Sequence, residues 1–271
     1  MIELRNVSKS FEGKTVLRRF NLTVKPQETL VLLGLSGSGK TTTLKLINGL
    51  LKADEGEVLI EGESLWNSDI LKLRRKIGYV IQDGGLFPHY NVFDNIAVVP
   101  RLLKWPEQEI QQRVKTLVDK LHLPKDSSFN MPQQLSGGQR QRVGLARAMA
   151  AIPPILLMDE PFGALDPITR KSIRKAFLEV DELKQTTTVM VTHDIQEAFE
   201  MGDRVAIMKE GKILKLGTPA EILEDSDSEF LQEFFAGEEL LLTLKEKGIY
   251  QQLSERFRAK TLDMAQLNKL T

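Results

Sequence analysis

The stretch GLSGSGKTTTLKLING, residues 34 to 49, fits G-x-x-x-x-G-K-[ST] from Gly34 to Thr41. That spacing suits a loop that wraps phosphate oxygens with backbone N–H groups. Gly34, Gly37 and Gly39 free the backbone to turn its amides inward, Leu35, Ser36 and Ser38 complete the loop, and a helix starting near Gly39 adds its positive end. Lys40 would reach the β and γ phosphates of a nucleotide, Thr41 offers a hydroxyl to Mg²⁺, and Thr42 is placed to bond a neighbouring phosphate. The bland alternative is a glycine-rich turn. An apolar strand pattern before the loop (TLVLL) and a helical one after it (TTLKLI) favour the phosphate reading.

The apolar stretch ILLMDEP, residues 155 to 161, ends in two acids. A strand tip beside a phosphate loop is where a Mg²⁺ shell needs a carboxylate, and Asp159 fits that role. Glu160 points differently and could take a proton from an attacking water; an ordinary acidic turn is the competing reading. His193 ends TTTVMVTH and could bond a γ-phosphate or that water, although a lone strand-end histidine is more often a surface residue. Gln82, after KIGYVI, could touch the metal or the water, or simply serve a polar turn. Phe11, in SKSFEGK, offers a ring for a base to stack on, with hairpin packing as the alternative.

A second anion-seeking helix start lies in LSGGQRQRVGLARAMA, residues 135 to 150. Ser136 is a good N-cap, Gly137 and Gly138 leave amides uncovered, and the helix expected from Gln139 aims its dipole at whatever precedes it. One phosphate loop already holds a nucleotide, and this loop sits on another part of the chain. The spacing therefore suggests a homodimer in which the SGGQ loop of one copy meets the nucleotide held by the other. A serine-capped helix is what the five residues mean if read alone.

These residues need strands and helices to bring them together. Short alternating segments in residues 1 to 33 (IELRNV, NLTV, TLVLL) predict antiparallel strands leading to one buried strand before Gly34. VLIEG and KIGYVIQ continue the strand signal. From 83 to 150 the spacing turns helical: Ile110, Val114, Leu117, Val118 and Leu121 share a face, and Pro106 suits a first helical turn. The strand pattern resumes in PILLMDE, TTTVMVTHD and RVAIMKEGKILKLG, with an amphipathic helix ITRKSIRKAFLEVDELK between the first two. The expected architecture is an α/β core, residues 1–82 and 151–236, with a helical subdomain inserted at 83–150 and a Leu-, Lys- and Glu-rich helical tail at 237–271.

Bulk composition narrows the function classes. Lys plus Arg and Asp plus Glu both total 37, so there is no global pull toward nucleic acid or an anionic membrane. Cysteine is absent and the three histidines are scattered, which leaves neither a disulfide framework nor a zinc site and fits a reducing cytosol. MIELRNVSKSF lacks the apolar stretch of a signal peptide, and no apolar run reaches the roughly 18 residues of a membrane span. A soluble chain is expected, whatever it docks against.

Taken in order, the motifs resemble those of the ATP-binding cassette (ABC) ATPases over about residues 1 to 236. GLSGSGKT corresponds to Walker A, Gln82 to the Q-loop, LSGGQ to the signature, ILLMDE to Walker B, ALD at 164 to 166 with Asp166 to the D-loop, and His193 to the switch. The resemblance implies a P-loop NTPase with a RecA-like core, an antiparallel β subdomain and a helical subdomain carrying the signature. It also implies MgATP as fuel and a place at the cytoplasmic face of a membrane as the motor of a transporter. Residues 77 to 105 and DEPFGALDPITR, 159 to 170, are similar to the ATPases of osmoprotectant uptake systems for glycine betaine, choline, carnitine or proline. Such a system implies permease subunits and, indirectly, a solute-binding protein. Motors for lipids or other polar compounds, soluble cassettes acting on DNA or ribosomes, and a non-hydrolysing nucleotide module are the competing readings. The soluble class usually carries a coiled coil or two cassettes, and the sequence has neither. Two departures stand out. Some relatives carry a C-terminal pair of CBS modules, and the roughly 35 residues after Gly237 are too few for one, so ionic-strength sensing by that route is not expected. Phe11 stands where many relatives have tyrosine; it stacks but cannot donate a hydrogen bond, which implies a looser base preference.

Overall fold

The computed structural model describes residues 1–67, 69–82 and 84–224. The expected tail at 237–271, and the end of the expected core, lie outside the described residues. In chain order the strands and helices are β1 (Ile2–Phe11), β2 (Lys14–Val24), β3 (Thr29–Leu33), α1 (Lys40–Ile47), β4 (Glu55–Ile60), β5 (Glu63–Ser64), α2 (Ile70–Arg75) and β6 (Ile77–Val80). Then follow α3 (Val92–Leu102), α4 (Glu107–Lys120), α5 (Gly137–Met149), β7 (Ile155–Asp159) and α6 (Pro167–Leu178). The last are β8 (Thr187–Thr192), α7 (Ile195–Met201), β9 (Arg204–Lys209), β10 (Lys212–Gly217) and α8 (Pro219–Glu224).

Two sheets form. One has the order β2-β1-β4-β5 and is antiparallel throughout. The other has the order β10-β9-β3-β8-β7-β6 and is parallel except at the β9–β10 hairpin.

Strand alternation splits the interior into two packed layers. Leu156 and Met158 of β7 and Val31 and Leu33 of β3 face a layer shared with Val92, Ile96, Val114, Leu117, Val143 and Leu145 of the helices between β6 and β7. Ile155 and Leu157, with Leu30 and Leu32, face the other layer, which is shared with α1 and the antiparallel sheet. The helices of the 83–150 stretch therefore rest on the same apolar layer as the parallel sheet.

Helix α1 has eight residues and no side-chain cap at Gly39, too little to persist alone. Leu44, Leu46 and Ile47 are fully buried against the sheet. At about 1.5–3 kcal/mol for each such side chain, tertiary packing holds the helix, and with it the loop that precedes it.

Local boundaries depart from the sequence reading in three places. Pro106 is the N-cap of α4, not a residue of its first turn. Helix α5 begins at Gly137, ahead of Gln139. Helix α6 stops at Leu178, and Asp181–Gln185 forms a short 3₁₀ turn, because Val180 turns inward to a buried position. Among the described residues no helix is long and apolar enough to cross a membrane.

Candidate functional site

The parallel register puts the expected chemistry on one edge. Leu33 lies opposite Thr192, Asp159 opposite Val191, and Val80 opposite Met158, so β3, β6, β7 and β8 all end level at their carboxyl ends. Open α/β sheets bind ligands along that edge. What leaves it is the phosphate loop after β3, Gln82 after β6, Glu160 after β7 and His193 after β8.

The loop geometry follows from its glycines. Gly37 and Gly39 have φ of +81° and +101°, a region closed to most side chains. Gly34 serves differently from the expectation. Its φ is not positive, but a Cβ there would sit 2.3 Å from the Met208 carbonyl oxygen, so its role is close packing against β9. Lys40 curls back into the loop. Its ammonium donates to the Gly34 and Leu35 carbonyl oxygens at 2.7 and 2.8 Å and approaches Ser38 Oγ at 3.4 Å. Burial pushes its pKa below the ordinary lysine value, while the nearby Glu160 and Asp159 charges oppose that shift.

Alternation along β7 turns Asp159 toward the α1 side of the sheet. There it accepts a hydrogen bond from Thr41 Oγ1 at 3.0 Å. Burial raises the Asp159 pKa; the Thr41 hydrogen bond and the Lys45 and Lys40 charges counter it. Tyr79, on the neighbouring strand, is pushed up to about 12, by burial first and the Asp159 charge second. A hydroxyl and a carboxylate oxygen side by side form a hard-oxygen donor set of the kind Mg²⁺ takes, and the glycine cradle beside them suits phosphates.

Glu160 leaves the strand in the left-handed region, with φ of 47°. Its N–H still donates to the Val191 carbonyl at 3.0 Å, and its Oε1 lies 3.2 Å from His193 Nδ1. The imidazole is mostly exposed, so a carboxylate and a histidine meet at the rim of the loop. A cavity of about 400 Å³ reaches the loop, Thr41 and Glu160 but is not lined by Asp159 or His193. Phe11, Ser36, Gly37, Gly39, Lys40, Thr41, Thr42, Gln82 and Glu160 line it, together with Lys14 and Val16. The Phe11 ring also carries the Lys9 ammonium 5.5 Å from its centroid. A larger cavity, of about 510 Å³ beside Ser8, Arg18, Arg19 and Asp54, holds none of the motif residues.

Ser136, Gly137, Gly138 and Gln139 do not line that 400 Å³ cavity. Ser136 caps α5, accepting from Gln139 N at 3.2 Å, while Gln139 Oε1 accepts from Ser136 N at 2.8 Å. This reciprocal box engages the Gln139 amide oxygen in holding the helix end. Asp166 caps α6 through Thr169 N at 3.0 Å, a bond that lowers its pKa.

Three residues that no motif flagged tie the loops together. Gln141 bridges Glu160 and Ala164, Arg147 donates to the Gly84 and Gly85 carbonyls, and Arg170 reaches the Leu165 carbonyl and Asp194. The signal for Gln141 was its place in the apolar stripe of Leu145 and Ala148, where a polar group needs a partner.

A glycine cradle, an acid bonded by a threonine hydroxyl on the α1 side of β7 and a carboxylate–histidine pair on one sheet edge define a P-loop nucleotide-binding cassette. Comparison with known proteins narrows this further. The ABC transporter family profile matches residues 17–163. The choline transport ATP-binding protein OpuBA of Bacillus subtilis is 46% identical over 242 residues, covering 89% of this chain and 64% of the relative. The glycine betaine uptake system ATP-binding protein YehX of Escherichia coli is 44% identical over 259 residues, covering 94% and 84%. Among solved structures, the dimeric post-hydrolysis state of the ATP-binding cassette MJ0796 bound to ADP and Pi superposes with a TM-score of 0.74 at 36% identity, covering 80% of this chain and 98% of that one. The chain belongs to the ABC transporter family, as an ATP-binding cassette. It spans about 64% of the length of the choline relative.

Proposed function

We propose that this chain is the ATP-hydrolysing motor subunit of an importer for a small polar solute of the osmoprotectant class, glycine betaine or choline first among them. The observation that carries the ATPase reading is the Glu160–His193 pair at 3.2 Å together with the Thr41–Asp159 pair at 3.0 Å, of which Glu160 and Thr41 line one cavity. The solute class rests on the similarity to choline and glycine betaine transport proteins.

The phosphate loop binds ATP through its amides and Lys40, and Phe11 stacks on the base. Lys40 leaves its carbonyl partners for the β and γ phosphates, a move its buried ammonium favours once an anion is present. Thr41, Asp159 and Gln82 would hold Mg²⁺, which when bound neutralises charge on the phosphates. Glu160 takes a proton from the attacking water, and His193 holds Glu160 or the γ-phosphate in place. The Ser136–Gln139 loop and Asp166 serve the nucleotide of a second copy, giving a homodimer with ATP between the subunits. Residues after Gln82 transmit that closure to permease subunits at the cytoplasmic face, with a solute-binding protein upstream; no nucleic acid partner is needed.

The test is Glu160→Gln. Turnover is expected to fall by about a hundred- to ten-thousand-fold while an ATP-bound dimer accumulates. A variant that stays monomeric at saturating ATP refutes the shared site. Reconstitution with the co-purifying membrane partner, followed by uptake of labelled betaine and choline, tests the solute.

A further inference from the structure

We infer that Gln141 is a positioning residue for Glu160, the amide that joins the signature helix to this chain's own proton acceptor. The inference rests on the reading of Glu160 given above. Gln141 is 2% exposed, and both ends of its amide are used: Nε2 donates to the Glu160 carbonyl at 2.7 Å, and Oε1 accepts from Ala164 N at 2.8 Å. The Glu160 peptide planes are thereby pinned from two sides, by β8 through its N–H and by α5 through its carbonyl. With φ at 47°, the direction of the Glu160 side chain depends on those planes staying put.

The same helix contacts the neighbouring loops. A Cβ on Gly138 would lie 3.0 Å from the Leu165 side chain, and Arg147 holds Gly84 and Gly85, just after Gln82. Helix α5 therefore begins at the loop proposed to serve a partner's nucleotide and, through Gln141, sets the carboxylate that serves its own.

The experiment compares Gln141→Leu, Gln141→Glu and Glu160→Gln in the full chain, with ATP turnover, ATP binding and thermal unfolding measured on each. Gln141→Leu is expected to lower kcat by about tenfold to a hundredfold, as small misplacements of a reacting group do. ATP affinity should stay within about twofold of wild type. Gln141→Glu, nearly isosteric and able to fold if the leucine variant fails, keeps the acceptor for Ala164 but sets an oxygen against the Glu160 carbonyl. It should lose kcat to a similar degree. Added to Glu160→Gln, Gln141→Leu should change the residual rate by less than about twofold, because the residue it positions is already gone. Equal loss in both backgrounds, or a fall in affinity that matches the fall in kcat, means a merely structural role and overturns the inference. An active Gln141→Glu beside an inactive Glu160→Gln overturns this inference alone. An active Glu160→Gln overturns the functional reading, and this inference with it.

Discussion

The left-handed backbone at Glu160 makes a prediction about stability that does not depend on catalysis. A residue with a Cβ pays about 1–2 kcal/mol to sit in that region, and here φ is 47°. Glycine escapes that cost, but in an ordinary strand or helix it is about 0.5–1 kcal/mol less stable than alanine because its unfolded chain is freer. At position 160 the two effects oppose each other and the strain is the larger. Glu160→Gly should therefore be more stable than Glu160→Ala by about 0.5–1 kcal/mol, or about 1–4 °C in Tm for a chain of this size. Both variants lose the His193 contact equally, so the comparison isolates the backbone. Lys212 is the control, an exposed strand residue outside the left-handed region, where alanine should rank above glycine. Thermal and urea unfolding of the full chain without nucleotide, followed by circular dichroism, reads all four variants. If alanine equals or exceeds glycine at position 160, the residue is not strained and the reasoning fails. A positive result would mean that the chain gives up stability to hold residue 160 in this left-handed turn.

Two further outcomes follow from the same geometry. Burial raises the Asp159 pKa above its ordinary 3.8, so its charge costs the folded state stability above the folded pKa, and that cost vanishes below 3.8, where both states are protonated. Asp159→Asn should raise Tm at pH 7, with a gap to wild type that narrows as pH falls toward 3.8, while Mg²⁺-dependent ATP binding weakens; a gap that widens on acidification refutes the sign. Gly34→Ala would press a Cβ to 2.3 Å from the Met208 carbonyl oxygen, a backbone atom with little room to yield. It should cost about 1–3 kcal/mol in unfolding free energy, and an unfolding curve that matches wild type removes the close-packing role.

How much of this was legible in the sequence depends on how local each cause is. The glycine-rich turn between β3 and α1 is legible because its causes lie within one turn, and TLVLL and TTLKLI on either side state their periods plainly. The placing of Asp159 on the α1 side was also implicit, since alternation along ILLMD fixes its face once Leu156 and Met158 are assigned to the other layer. The left-handed turn at Glu160 was not, because Asp-Glu-Pro reads the same in an ordinary acidic turn. Gly34 is ambiguous in the sequence for a similar reason. A glycine needed for close approach and one needed for positive φ are the same letter, and only the presence of β9 beside the loop separates them. Gln141 shows the limit most clearly. An amide in the stripe of Leu145 and Ala148 announces that a partner must exist, since leaving it unpaired would cost about 1–3 kcal/mol. Which partner it finds is decided by topology: α5 packs on β6 and β6 pairs with β7, so the end of β7 comes within reach of the helix. The motifs mark candidate groups, while the residues that hold them in place are chosen by strand order, which no local pattern encodes.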